Sequence, residues 1–171
     1  LITFGKFKFS KIEIKNPLAK PKFDNAKNYF INGHANNFEY YEEYIHDILK
    51  KFIKTKIKKE KTLIGIHVRK GDQKNGIVDF CDKDYFKRSI DKLLYKKNLS
   101  LNDIELVIFC EEIEWPKKNI SLNGVSVKYI IGDDETATSD FKYMINCDHL
   151  IIPNSYFSWW PAAYISYISK G

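Results

Sequence analysis

From residue 62 onward, short continuous apolar runs alternate with segments in which apolar residues recur at helical spacing. Apolar residues recur at helical spacing over 82–96, where Asp82 or Asp84 is a suitable N-cap. Four short apolar runs have the length of buried β-strands: residues 62–68, 104–110, 125–131 and 149–152. The full order is strand, helix, strand, short helix, strand, helix, strand, helix. This alternation predicts an α/β fold in which helices cover both faces of a parallel sheet.

The last two helices are placed by their candidate caps and by a proline. Ser139 or Asp140 is a suitable cap for a short helix that continues through Ile145. Pro161 is tolerated in a helix only within the first turn, where its missing N–H needs no partner. We therefore predict that Ser158 caps the last helix, since an earlier start would place Pro161 in the helix interior at a cost of roughly 3 kcal/mol.

The first 60 residues carry weaker patterns. Residues 1–24 alternate loosely and contain two prolines, which predicts one strand and a linker, and 28–31 is a further strand candidate. Over 37–59 the apolar residues return at helical spacing, and the lysines fall largely on the opposite face. This pattern predicts an amphipathic helix whose lysine-bearing face is exposed to solvent.

Composition and charge limit the classes of partner. The 171 residues suffice for one domain with a hydrophobic core, and a hydrophobic content of 44% argues against disorder. The net charge of +6 is compatible with nucleic acid, an anionic membrane surface or a phosphorylated small ligand. Much of the excess lies at 50–61, on the predicted solvent-exposed face, so we expect no nucleic-acid partner. A basic nucleic-acid-binding module is the rival hypothesis, and it predicts oligonucleotide binding with a steep salt dependence.

Cysteine usage and hydropathy bear on location. Cys81, Cys110 and Cys147 are far apart and form no CxxC pair, which indicates a reducing compartment and no metal site. No apolar run approaches the ~18 residues needed to cross a membrane. We therefore expect a cytoplasmic protein of bacterial type, and peripheral contact with a membrane surface is left open.

Polar residues follow each of the four strands predicted between 62 and 152. Ligands of parallel α/β sheets bind beyond the carboxyl ends of the strands, so we expect these polar residues to form one site. They lie at 67–72, 110–112, 132–135 and 154–158. Phosphate loops of the GxxxxGK[ST] type, GxGxxG, GxSxG and HExxH motifs are absent, which argues against the enzyme classes that depend on them.

The first strand ends in the segment HVRKGD at 67–72, which is suited to an anion. His67 and Arg69 share one face of the strand, because side chains alternate along it. Arg69 can bind a diphosphate as a bidentate hydrogen-bond donor, and Lys70 can bind it as a point charge.

Other rim residues can contact the remainder of a nucleotide. A carboxylate such as Glu111 or Asp133 can accept hydrogen bonds from the N1–H and the amino group of a guanine. Hydrogen-bond donors at the start of the last helix, itself an anion site, are Asn154, Ser155 and Ser158.

Three segments resemble the α-1,2-fucosyltransferases of glycosyltransferase family 11. The family's HxRRxD appears as HVRKGD at 67–72, and its FSDDxxW appears as FCEEIEW at 109–115. The long motif DFxLMSxCxHxIIxNSxFSWW is closely matched by DFKYMINCDHLIIPNSYFSWW at 140–160. The resemblance spans roughly residues 28–169. The family's N-terminal GGLGNQxFQ segment has no counterpart, so we expect this chain to be part of a longer enzyme.

The resemblance implies a Rossmann-like fold, namely the C-terminal, donor-binding half of a GT-B-type glycosyltransferase. Residues 1–60 would then be a remnant of the N-terminal domain plus a linker helix, and 61–171 a truncated GDP-fucose-binding domain. The implied reaction transfers fucose, with inversion, from GDP-fucose to the 2-hydroxyl of a galactose-terminated glycan or glycolipid. No essential metal or other cofactor is implied. We expect the isolated chain to be inactive.

The resemblance also assigns roles to residues. Arg69 would hold the donor phosphates and stabilise the departing GDP, with Asp72 as the second catalytic residue. Asp72 and Asp79 are candidate bases, as is a residue of the absent domain. The implied GDP-fucose-binding residues are His67, Arg69, Lys70, Asp72, Glu111, Asn154, Ser155 and Ser158. Another nucleotide-sugar transferase and an inactive transferase-like domain are alternatives, the latter because Lys70 replaces the family's second arginine.

Overall fold

The structure is a computed structural model that describes residues 2–4, 7–13, 29–32, 47, 49–51, 59–69, 81–133 and 135–168. The chain forms two compact units, Leu1–Lys51 and Phe52–Gly171. The predicted helix at 37–59 lies mostly outside the described residues, within which Asp47 and Leu49 are helical.

The first unit contains a three-stranded sheet. Strand β1 (Ile2–Phe4) pairs antiparallel with β2 (Phe7–Glu13), which pairs in parallel with β3 (Tyr29–Asn32). Phe4 is directly opposite Phe7, so the chain reverses within two residues. The prediction of a single strand in 1–24 is therefore wrong, because loose alternation does not reveal so short a reversal.

The second unit alternates strands and helices in the predicted order. The elements are β4 (Thr62–Val68), α1 (Lys83–Lys97), β5 (Ile104–Cys110), α2 (Glu114–Asn119), β6 (Ser126–Ile131), α3 (Ala137–Met144), β7 (His149–Ile151) and α4 (Tyr156–Ile168). A single turn of 3₁₀ helix, Leu101–Asp103, precedes β5. Asp82 caps α1 as predicted, since its carboxylate accepts a hydrogen bond from the Tyr85 N–H at 2.7 Å.

The four strands of this unit form a parallel sheet in the order β6-β5-β4-β7. Ile66 of β4 lies between Ile108 of β5 and Ile151 of β7. Counted along the chain, the strand order is third, second, first, fourth, as in Rossmann-like sheets. Successive strands are therefore added on one side of β4 and then on the other, and the crevice between β4 and β7 is where such sheets bind ligands.

Helices cover both faces of the sheet, as the sequence predicts. On one face Ile64, Ile66 and Val68 of β4 pack with Phe86 and Ile90 of α1. On the other face Leu63 packs with residues of β5, α3 and α4, among them Phe109, Met144 and Ile165. Because both faces are buried, β4 and β5 are almost continuously apolar and do not alternate with polar residues.

The strand β4 is held to β7 at its amino end by Asp148. The Asp148 carboxylate accepts hydrogen bonds from the Leu63 N–H at 2.9 Å and from the Lys59 ammonium at 2.7 Å. The Asp148 N–H in turn donates to the Leu63 carbonyl at 2.9 Å. These contacts hold the register that brings the carboxyl ends of the two strands together.

The start of α3 differs from the prediction. It begins at Ala137, preceded by Thr136, two to three residues before the expected caps Ser139 and Asp140. The Asp133 carboxylate accepts hydrogen bonds from the N–H groups of Glu135 and Thr136, and this turn begins the helix earlier.

The start of α4 also differs, and the prediction that Ser158 caps it is wrong. The first helical hydrogen bond joins the Trp159 N–H to the Ser155 carbonyl at 3.1 Å, so Pro161 lies inside the helix. Pro161 cannot donate to the carbonyl four residues earlier, which costs free energy. It is itself buried, as are Tyr164 and Ile165, and this apolar burial offsets the missing hydrogen bond.

Candidate functional site

A cavity of about 570 Å³ lies at the carboxyl edge of the four-stranded sheet, on the face covered by α3 and α4. Every strand end contributes to it. The lining residues are His67, Arg69, Phe109, Cys110, Glu111, Gly132, Asp133, Ala137, Asp140, Met144, Ser155 and Phe157. Residues that follow the four strands are far apart in the sequence, yet they line one cavity, as the sequence predicts.

Arg69 and Ser155 meet across the crevice between β4 and β7. The Arg69 Nη1 donates a hydrogen bond to the Ser155 Oγ at 3.4 Å, although 86 residues separate them. Arg69 follows β4 directly, and Ser155 is a buried residue between β7 and α4. The Ser155 hydroxyl thus helps to hold the guanidinium at the crevice, where parallel sheets of this type bind ligands.

His67 lines the same cavity and is uncharged near neutral pH. Burial, followed by the positive charge of Arg69, lowers the pKa of His67 from 6.5 to about 4. The ring meets the ring of Phe157 edge-on, with the centroids 5.8 Å apart. A neutral imidazole beside a guanidinium leaves Arg69 as the cation among the described lining residues.

Two carboxylates line the side of the cavity away from β4, where β6 ends and α3 follows, and this is the acidic side. Hydrogen bonds from Thr136 to Asp133 lower the pKa of Asp133, which keeps this carboxylate ionised. Burial, followed by the nearby Asp133, raises the pKa of Asp140. A third carboxylate, the exposed Glu111, follows β5 and lies between this side and Arg69. Since β4 and β6 are two strands apart, roughly 10 Å separates the cationic side from the acidic side.

Gly132 is a glycine because Asp140 lies against it. A Cβ atom at position 132 would come within 2.0 Å of the Asp140 Oδ2. The Gly132 N–H also donates to the Cys110 carbonyl at 3.1 Å, which continues the pairing of β5 and β6. The absence of a side chain at Gly132 therefore leaves room for the Asp140 carboxylate at the cavity wall.

Cys110 lines the cavity but is not a reactive thiol. Burial, followed by the charge of Glu111, raises its pKa to about 11. A thiol with such a pKa is protonated near neutral pH and is a poor nucleophile.

The predicted site residues fall into three groups. His67, Arg69, Glu111 and Ser155 are brought together around the cavity. Asn154 is exposed and Ser158 is fully buried, and neither belongs to the described lining. The Ser158 hydroxyl instead donates to the Ser155 carbonyl at 3.5 Å, inside α4. Lys70 and Asp72 lie outside the described residues, as does Asp79.

Asp140, Gly132 and Phe157 line the cavity but are not among the residues individually predicted to bind the donor. Asp140 was expected only as a helix cap, although it begins the long motif at 140–160. Gly132 and Phe157 fall within the segments 132–135 and 154–158 that were expected at the site, but no signal marks them individually, because their importance depends on which side chain lies next to them. The structure assigns them to the cavity through Asp140 and His67 respectively.

The described residues contain no group of three or more His, Cys, Asp or Glu side chains with the geometry to hold a metal ion. Within the same residues no helix combines the length and the apolar character needed to cross a membrane.

Comparisons with known proteins agree with the motifs. The chain matches the family model described as glycosyl transferase family 11 over residues 9–169. It is 33% identical over 107 residues to an alpha-1,2-colitosyltransferase of Escherichia coli, covering 58% of this chain and 35% of that protein. It is 29% identical over 115 residues to galactoside alpha-(1,2)-fucosyltransferase 1 of Homo sapiens, covering 62% of this chain and 29% of that protein.

These matches cover only part of each relative. The chain spans about a third of the length of the curated relatives it matches. No solved structure matches it significantly. The family model nevertheless covers nearly all of the chain, and it includes every residue of the cavity. This chain is a member of glycosyl transferase family 11.

Proposed function

We propose that this chain forms the donor site of a transferase that moves fucose from GDP-fucose to the 2-hydroxyl of a galactoside, with inversion. The observation that carries the proposal is the polarity of the cavity. Arg69 follows β4, whereas Asp133 and Asp140 lie two strands away, beyond β6, and Glu111 follows β5 between them. A guanosine diphosphate has the complementary arrangement, with an anionic diphosphate at one end and N–H donors on the base at the other.

The diphosphate belongs beside Arg69 in this arrangement. Negative charge accumulates on the departing GDP as the bond to the sugar breaks, so a cation held in place there lowers the barrier. Ser155 keeps the guanidinium in position through its hydroxyl. Lys70 is the proposed second cation, and Asp72 the second catalytic residue.

The guanine belongs on the acidic side. Its N1–H and 2-amino group are donors that a carboxylate can accept, whereas adenine presents an unprotonated N1 and no 2-amino group. Asp140 joins Glu111 and Asp133 as a candidate acceptor, because it lines the cavity in the space that Gly132 leaves open. The apolar part of the lining, with Phe109, Met144 and Phe157, can cover the flat base.

The names of the relatives bear on the sugar. One relative is a fucosyltransferase and another a colitosyltransferase, both forming α-1,2 linkages. Colitose is fucose without its 3-hydroxyl group, so both sugars suit one nucleotide site and differ at one polar contact. We propose fucose as the donor sugar and a galactose-terminated glycan or glycolipid as the acceptor.

The proposal includes a GT-B arrangement in which a further domain completes the acceptor site. No essential metal is proposed, since Arg69 and Lys70 would supply the positive charge. The attacking hydroxyl needs a base within ~3 Å, for which Asp72, Asp79 and a residue of that further domain are candidates. Location in the cytoplasm, with peripheral contact to a membrane surface, is part of the same proposal.

Calorimetry of this chain with nucleotides tests the donor assignment. GDP is expected to bind, and UDP and ADP are expected to bind at least tenfold more weakly, because neither base presents the donor pair of guanine. Equal binding of GDP and ADP would contradict the assignment of guanine to the acidic side. Binding of UDP alone would favour another nucleotide-sugar transferase.

The variant Arg69→Ala tests the diphosphate assignment. Loss of charge-assisted hydrogen bonds worth about 1.5–3 kcal/mol should weaken GDP binding by roughly 10- to 150-fold. Fucose transfer by the complete enzyme should fall by roughly 10²–10³ or more, since the charge acts on the leaving group. Arg88→Ala, which removes an exposed arginine of α1, is the matched control. Near-normal turnover by Arg69→Ala with retained folding would refute the assignment.

A further inference from the structure

The two ring nitrogens of His67 have different surroundings. Among the described residues, Nδ1 of His67 is one of two buried polar side-chain atoms without a hydrogen-bond partner. The same ring lines the cavity and meets the edge of Phe157. Since Nδ1 is enclosed by protein, Nε2 is the ring nitrogen that a ligand in the cavity can reach.

The single proton of the neutral ring has a preferred place. Burial and the neighbouring Arg69 lower the pKa of His67, so the ring carries one proton near neutral pH. A proton on Nδ1 would be a buried donor without an acceptor, a rare and unfavourable arrangement in proteins. An N–H at Nε2 can donate a hydrogen bond to water or to a ligand in the cavity.

We infer that His67 is held as the Nε2–H tautomer and donates this hydrogen to an oxygen of the nucleotide diphosphate beside Arg69. This inference rests on the proposed function. His67 and Arg69 then have complementary tasks on one face of β4. Arg69 supplies positive charge, and the neutral His67 supplies a directed hydrogen bond.

Two substitutions of similar polarity, His67→Gln and His67→Asn, should have different effects. The side-chain amide nitrogen of glutamine can reach the position of Nε2, whereas that of asparagine reaches only the position of Nδ1. His67→Gln therefore retains a donor toward the cavity, and His67→Asn loses it. We expect His67→Gln to bind GDP within a few-fold of the wild type, and His67→Asn to bind about tenfold more weakly.

Nitrogen-15 NMR of the unliganded wild-type chain reads the tautomer without any substitution. Two-bond correlations between ring hydrogens and ring nitrogens distinguish Nε2–H from Nδ1–H, and the signals absent from His67→Gln identify His67. We expect an unprotonated Nδ1 and a protonated Nε2 near neutral pH, with GDP shifting mainly Nε2. An Nδ1–H tautomer, or a doubly protonated ring, would overturn the inference.

Calorimetry with GDP supplies the second readout. His149→Gln is the matched control, because His149 lies at the amino end of β7, opposite the edge that bears the cavity. Failure of the wild-type chain to bind GDP would overturn the proposed function. A wild type that binds GDP, combined with weaker binding by His67→Gln than by His67→Asn, would overturn the inference about His67 alone. Should His67→Asn fail to fold, the tautomer of His67 in the wild-type chain still tests the inference.

Discussion

The substitution Gly132→Ala tests whether the acidic side of the cavity reads the base. The added methyl group would come within 2.0 Å of the Asp140 Oδ2 and 3.3 Å of the Thr136 Oγ1. Real Cβ atoms essentially never come closer than 3.0 Å to another heavy atom, so the carboxylate must move by about 1 Å or more. Such a displacement exceeds the tolerance of a hydrogen bond, whose length varies by only a few tenths of an ångström.

Gly132→Ala should lower both the stability of the fold and the affinity for GDP, by different amounts. Asp140 is half-buried and can rotate away, so the cost to stability should lie at the lower end of overpacking penalties, about 1 kcal/mol. The loss of a carboxylate hydrogen bond to guanine should cost about 1.5 kcal/mol or more, which is roughly tenfold in GDP affinity. Inosine diphosphate, which lacks the 2-amino group, should bind the variant about as well as GDP does.

Calorimetry measures the affinities for GDP and inosine diphosphate, and urea denaturation measures the stability. Gly124→Ala is the matched control. Gly124 has φ of +78° and no atom within 4 Å of its Cβ position, so alanine there strains the backbone without touching the cavity. The control should lose about 1 kcal/mol of stability and bind GDP normally. Unchanged GDP affinity in Gly132→Ala, together with an unchanged preference over inosine diphosphate, would show that Asp140 does not contact the base.

Two further predictions concern stability. In Gly65→Ala the new methyl group would come within 2.4 Å of the Leu150 Cδ2 and 2.9 Å of the Cys147 Sγ, so the free energy of unfolding in urea should fall by about 1–3 kcal/mol; an unchanged denaturation midpoint would contradict this packing. Because the pKa of His67 is lowered from 6.5 to about 4 in the folded state, the unfolded chain takes up the proton first as the pH falls. The wild type should therefore lose up to roughly 3 kcal/mol relative to His67→Gln between pH 6.5 and 4. Glu111, Asp133, Asp140 and Arg69 face the same cavity in both proteins, and their contributions cancel in the difference. A difference independent of pH would refute the lowered pKa.

The order of the elements could be predicted because each signal is local. The apolar runs at 62–68 and 104–110 are confirmed as β4 and β5 without an error at either end. Asp82 caps α1 as predicted, because capping involves residues only three positions apart. The starts of α3 and α4 could not be predicted, because the turn at Asp133 and the burial of Pro161 override the local preference.

Part of the site also follows from the sequence. The alternation of a strand places His67 and Arg69 on one face, and the parallel sheet places the strand ends at one edge. The cavity contains both residues, together with Glu111 and Ser155. Asp140 was predicted only as a helix cap, because its position against Gly132 depends on how α3 packs beside β6, which no spacing in the chain encodes.

The sequence by itself determined that this protein is an α/β domain with charged and polar residues at the strand ends, and its motifs determined the family resemblance. Only the tertiary structure decided which residues meet. The order β6-β5-β4-β7 makes β7 a neighbour of β4, and so brings Ser155 to Arg69 across 86 residues. The same packing buries Nδ1 of His67, because the surroundings of a side chain depend on every element packed around it.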